Sequence, residues 1–142
     1  MKSIETVNGK AICDLPLCGI FAIAFVAGRP VEEMFLFYKK TYRMGNGWRG
    51  RTNEDECKVI LNKLGIEWSP VKGLLTSCSI AKWVEWHAVK GRTYIVGTGN
   101  HIQVVRDGIV HDQQGSAPID EFRWKGSRVK SAILISTDAK AA

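Results

Sequence analysis

Residues 101–112 read His-Ile-Gln-Val-Val-Arg-Asp-Gly-Ile-Val-His-Asp, two apolar runs interrupted by one Asp-Gly pair. An Asp-Gly pair in that setting is a strong signal for a two-residue hairpin turn. A turn at residues 107–108 pairs Arg106 with Ile109, Val105 with Val110, Val104 with His111 and Gln103 with Asp112. Paired residues share a face of the sheet and alternate residues swap faces. His101, Gln103 and Asp112 then lie on one side of the hairpin, and His111 lies on the other. His101 and Asp112 become diagonal cross-strand neighbours with α-carbons about 7 Å apart, a gap their side chains can close. An aspartate bonded to one imidazole nitrogen fixes the tautomer and stabilises the cation, leaving the other nitrogen for a substrate or nucleophile. The same geometry also suits two polar residues on a wetted sheet face.

The surroundings of the hairpin extend the β reading. The stretch from Arg92 to Gln113 alternates or runs in β-branched residues punctuated by glycine, and "VKSAILI" at 129–135 supplies a last strand. The residues before it have helical period. Leu17 to Ala27 is apolar all round, as a helix buried on every side would be, with Pro16 ahead of it and Gly28 at its end. Pro30 with Glu32 and Glu33 starts a second helix that runs to about Tyr42. Thr52 and Asp55 form a capping signature for a third, whose inward stripe is Cys57, Ile60, Leu61 and Leu64. Ile66 to Val71 reads as a short strand. Ser77 caps a fourth helix with Ile80, Trp83 and Val84 inward and His87 continuing that stripe. Helices first and sheet second is an α+β order.

The chain of 142 residues is 45% apolar and 24% charged, the composition of one globular domain with its own core. The N-terminal "MKSIETVNGKAICD" lacks the uninterrupted apolar stretch of a secretory signal, and the run Leu17 to Ala27 is far short of the roughly 20 residues that span a bilayer. A soluble, cytoplasmic protein with no membrane partner is expected. Net charge is +6, with basic residues at Lys39, Lys40, Arg43, Arg49 and Arg51 and again at Lys125, Arg128 and Lys130. That balance fits an acidic protein partner or nucleic acid, and it also serves plain solubility.

Four cysteines occur, at 13, 18, 57 and 78, without a C-x-x-C pair or a nearby histidine. Such spacing argues against a zinc site or a disulfide framework, and no metal or cofactor is expected. Cys57 belongs to an apolar stripe and reads as a core thiol. Cys18 differs, because it stands at the start of the most apolar helix, in "CDLPLCG" at 13–19. A helix N-terminus beside a histidine cation lowers a thiol pKa, and the Cys18 backbone N–H, lacking an intrahelical partner, can face a developing oxyanion. Gly19 is expected to leave space for a substrate. Cys13 lies before the helix and lacks its field, and Cys78 is a weaker competitor near another helix start.

"LCGIFAIAFVAGRPVEE" early and "GRTYIVGTGNHIQVVRDGIVHDQ" late resemble the papain-like cysteine peptidase superfamily in its compact form, as in bacteriocin-processing peptidase domains and small phage-encoded papain-like proteins. The likeness runs from about residue 12 to 135 of a single domain, 1–142. It implies a papain-like fold, N-terminal helices whose nucleophile helix packs on a C-terminal antiparallel sheet, and a hydrolase that needs no cofactor. Matched residue by residue, Cys18 corresponds to the nucleophile, His101 to the general base and Asp112 to the orienting residue. Many members carry a glutamine five or six residues before the cysteine. Here those positions hold Ile12 and Cys13, and the nearest polar side chain, Asp14, would repel an oxyanion rather than stabilise it. This departure leaves three alternatives: the oxyanion site uses backbone amides, or Asp14 only shapes the loop, or the enzyme is weak or dead. The oxyanion candidates are the Cys18 backbone and Asp14.

Three functions compete on these residues. The first is thiol acyl transfer at a peptide, isopeptide or amide bond, in the cytoplasm of a host if the chain is phage-encoded. The second is a catalytically inactive papain-like scaffold that binds a host or partner protein through the basic segment Lys39 to Arg51. The third is nucleic-acid binding through the same segment, with Trp48 stacking on a base. Trp48, Trp83 and Trp86 are candidates to line a substrate groove, or equally to pack in the core.

Overall fold

A computed structural model describes residues 6–7, 10–11, 15–71, 78–99 and 101–136. The chain is mixed α+β, with four helices and a six-stranded antiparallel open sheet among the described residues. A short pair, β1 (Thr6–Val7) and β2 (Lys10–Ala11), precedes α1 (Cys18–Ala27), α2 (Val31–Thr41) and α3 (Glu54–Lys63). Then come β3 (Trp68–Pro70), α4 (Ile80–His87), β4 (Thr93–Thr98), β5 (His101–Arg106), β6 (Ile109–Asp112), β7 (Gly115–Pro118) and β8 (Ser131–Ile135). A single 3-10 turn at Ile119–Glu121 separates the last two strands. The sheet order is β3-β8-β4-β5-β6-β7. No helix among the described residues is long and apolar enough to cross a membrane.

The Asp107-Gly108 pair makes the expected turn, with φ of 52° and 75°, the double positive that a two-residue hairpin demands. The register follows: Val104 faces His111, Val105 faces Val110 and Arg106 faces Ile109. The Asp107 side chain accepts the Gly91 N–H at 2.7 Å, tying the turn to the start of β4.

Both faces of the sheet are covered, so β4 is buried at all six positions. Ile95, Ile102, Val104, Ile133 and Ile135 meet α1, α2 and α3 on one side. Tyr94, Val96, Val105, Val110 and Ala132 meet Ile80, Trp83, Phe122 and Val129 on the other. Leu17, Ile20 and Ile23 are wholly buried, each stabilising the fold by about 1.5–3 kcal/mol relative to exposure. The α1 helix ends in a Schellman arrangement, with Gly28 N–H on Phe25 O and Arg29 N–H on Ala24 O. Packing of α1 against the sheet, α2 and α3 places its first residue at the His101 end of β5.

Three local expectations are corrected. The N-cap of α3 is Asn53, not Thr52: its side chain accepts the Glu56 N–H while Glu56 accepts the Asn53 N–H, a full capping box. Thr52 instead donates its hydroxyl to Glu56 at 2.8 Å. The N-cap of α4 is Ser79, which accepts the Lys82 N–H; Ser77 lies outside the described residues. Gly19 is not substrate space. A Cβ there would stand 2.4 Å from Thr52 Cγ2 and 3.2 Å from Cys57 Sγ, so the glycine lets α1 approach α3.

Candidate active site

The N-terminus of α1 has no side-chain cap: the N-cap residue is Leu17, and the first intrahelical bond is Phe21 N–H to Leu17 O at 2.7 Å. The amides of Cys18 and Gly19 lie ahead of that bond, and the positive end of the helix dipole is left to Cys18 itself. Cys18 is partly exposed. The His101 ring and the backbone N–H groups of Ile102 and Gly19 lie close enough to its sulfur to favour the thiolate. Burial pushes the Cys18 thiol up, but the His101 hydrogen bond, the Ile102 N–H, the imidazolium charge and the Gly19 N–H together outweigh it. The net result lies below the ordinary thiol value.

His101 opens β5 and Asp112 closes β6 on the adjacent strand. His101 Nε2 lies 2.9 Å from Asp112 Oδ2, which leaves Nδ1 as the ring nitrogen for the thiol. Burial pushes His101 down, and the hydrogen bonds to Asp112 and Cys18 with their negative charges push it up further. Its pKa stands above the ordinary imidazole value. A lowered thiol beside a raised imidazole shifts both groups in the direction of a thiolate–imidazolium pair.

Asp112 is only 1% exposed. Burial pushes its carboxyl up, but hydrogen bonds from His101 and the Gln114 N–H, and the Arg123 charge, carry it below the usual carboxylate range. Its Oδ1 accepts the Gln114 N–H at 2.9 Å, and its Oδ2 accepts Arg123 Nη2 at 2.7 Å. Trp124 sets its ring edge-on to His101 at a centroid distance of 4.6 Å.

Cys18 and His101 open into a cleft of about 730 Å³, bordered by Arg51, Glu54, Gln114 and Trp124 among others. Glu54, at the start of α3, accepts the Ser131 hydroxyl on the cleft wall. Burial raises its carboxyl, an effect that the nearby Lys58 only partly offsets.

The three residues singled out in sequence, Cys18, His101 and Asp112, are therefore brought together. Asp14 lies outside the described residues. His111 falls on the opposite face from His101, as the parity requires, stacked on Phe25 at 4.4 Å and bonded to Ser116. Cys57 is wholly buried, receives the Tyr38 hydroxyl at 3.1 Å, and is pushed up to about 12, chiefly by burial. Cys78 is buried as well. Of the tryptophans proposed for a groove, Trp83 is core and Trp86 is exposed on α4. Trp48 stacks on Phe35 at 5.0 Å and donates to Arg51 O, so its ring is engaged in packing rather than offered to a base. The basic segment is divided: Lys39 and Lys40 close α2 while Arg51 borders the cleft.

Sequence reasoning missed Glu54, Gln114, Arg123 and Trp124. The carboxylate at 54 was submerged in a capping pattern. Arg123 and Trp124 sit in a turn after β7 whose approach to His101 no local spacing encodes. Among the described residues no group of three or more His, Cys, Asp or Glu side chains could hold a metal ion. Compared with known proteins, the chain matches no family model, no curated protein and no solved structure.

Proposed function

We propose that this protein is a cysteine peptidase-like hydrolase of compact papain-like architecture, acting on a peptide, isopeptide or amide bond. The observation that carries the reading is the convergence of three residues remote in sequence: Asp112 meets His101 at 2.9 Å, and His101 and Cys18, the latter at a helix N-terminus, line the same cleft. Structural cysteines sit like Cys57, sealed in apolar surroundings. A partly exposed thiol at a helix N-terminus beside a histidine is placed to be an activated one.

The chemistry follows from those roles. The Cys18 thiolate adds to the carbonyl carbon, and the C=O π electrons move onto oxygen. The resulting oxyanion is met by the Cys18 backbone N–H, a first-turn amide whose value rises in a site shielded from water. His101 passes its proton to the leaving nitrogen, the C–N bond breaks, and an acyl thioester remains. Neutral His101 then takes a proton from water as that water attacks the thioester. Collapse of the second tetrahedral adduct breaks the C–S bond, frees the carboxylic acid and restores the ion pair. Asp112 keeps the imidazole oriented throughout.

The order of parts, three helices then a sheet with the Cys18 helix packed on β5, supports the papain-like comparison. The test is turnover: incubated with a mixture of unfolded polypeptides, the protein should generate new amino termini, and Cys18→Ala should generate none. A protein that binds polypeptides in that assay without cleaving them would instead be the inactive scaffold.

A further inference from the structure

Asp112 is almost completely buried, yet its principal partner in the site, His101, must lose and regain its positive charge in each turnover of the proposed reaction. A carboxylate so buried needs a permanent counter-charge. Arg123 provides one. Its Nη2 lies 2.7 Å from Asp112 Oδ2, the same oxygen that meets His101 Nε2 at 2.9 Å. An ionised carboxylate oxygen has lone pairs for both donors. The guanidinium is itself held in place, its carbon 4.0 Å from the centre of the Trp124 ring, and Trp124 in turn abuts His101 edge-on.

We propose that Arg123 is the fourth, positioning member of this site: anchored on Trp124, it holds Asp112 in register with His101 and limits how strongly that carboxylate retains the imidazolium proton. The inference rests on the hydrolase reading for its consequence in turnover, but the electrostatic effect stands on geometry alone. Arg123 acts in two ways of the same sign. It neutralises part of the Asp112 charge that His101 sees, and it repels the imidazolium directly. An imidazole held too firmly in its charged form is a poor acid toward the leaving amine, since proton transfer is best from a group poised near the working pH. The remaining groups around the relay are the Gln114 N–H on Asp112, Cys18 on the far side of His101, and Arg51, Glu54, Glu56 and Lys130 along the cleft.

The experiment is an NMR titration of the His101 ring in the full-length protein and in Arg123→Gln and Arg123→Lys, with turnover measured alongside. Arg123→Gln removes the charge while retaining a donor, and Arg123→Lys retains the charge. The expected result is a His101 pKa higher by about one pH unit in Arg123→Gln, a return most of the way in Arg123→Lys, and a slower acyl-transfer step in Arg123→Gln. An unchanged His101 pKa in Arg123→Gln overturns the proposal. So does a lower one, because a merely structural role would let Asp112 swing away from the ring. The expected shifts in a protein that cleaves nothing would contradict the hydrolase reading while upholding the electrostatic role of Arg123.

Discussion

His101 Nε2 lies 2.9 Å from Asp112 Oδ2 although the two residues belong to different strands and are eleven positions apart. The Asp107-Gly108 turn sets the register, the pleat sets the face, and the two side chains span the remaining gap. Cys18 arrives independently, carried on a helix whose apolar residues pack in the core against the sheet.

Asp112→Asn keeps the shape of that contact and removes its charge. His101 should then fall toward its ordinary pKa and Cys18 should rise, because the imidazolium that supports the thiolate is weakened. Alkylation of Cys18 near neutral pH should slow as its thiolate fraction falls, by at most about tenfold for each pH unit that Cys18 gains. Rates of carbamidomethylation, followed by mass spectrometry, check it.

Gly19→Ala tests the packing role assigned to that position. The added methyl would press on Thr52 Cγ2 at 2.4 Å, and overpacking of this kind costs about 1–3 kcal/mol. Thr52→Ser removes the opposing methyl, so it should recover part of the loss in the Gly19→Ala background. Urea unfolding of the two single variants and the double variant measures the coupling.

The two buried thiols should behave unlike Cys18. Cys57, pushed up to about 12 and closed in by Tyr38, should remain unmodified in the folded protein under conditions that fully alkylate Cys18. Peptide mapping should show Cys57 reacting only after denaturant is added. Cys57→Ala would leave the Tyr38 hydroxyl without its acceptor, at a cost of about 1–3 kcal/mol for the unsatisfied group in addition to the lost packing.

Stability should carry the sign of each shift. The Asp112 carboxyl is depressed, so its contribution is present above the ordinary carboxylate value and is lost as pH falls through the folded-state value. His101 is raised, so its contribution is complete below the ordinary imidazole value and is lost as pH rises through the folded-state one. Denaturant midpoints measured across acid and neutral pH should therefore fall at the acid end in the wild type and fall less steeply in Asp112→Asn.

How much of this was legible in the sequence differs from element to element. The hairpin was, because Asp107-Gly108 is one of the few short signals that fixes pairing, and pairing fixes faces. The ends of α1 and α2 were, through Gly28 and Pro30. The α3 cap was off by one, since T-x-x-D and N-x-x-E overlap at 52–56 and only the backbone decides between them. β7 was missed because its turn, Gln113-Gln114, carries no turn signature, and a strand reading Gly-Ser-Ala-Pro has little β character. Arg123 reaches Asp112 through the 3-10 turn at Ile119–Glu121, a path set by tertiary packing. Gly19 was misread because a missing side chain looks the same in sequence whether it makes room for a ligand or for a neighbouring helix.

The most direct test is the ionisation of Cys18 itself, read as the ultraviolet thiolate absorbance that Cys18→Ser abolishes, titrated in the wild type and in His101→Ala. A thiolate that forms below the ordinary thiol value, and forms at higher pH once the imidazole is gone, is the predicted result. A Cys18 that titrates at or above the ordinary value, indifferent to His101→Ala, would contradict the account.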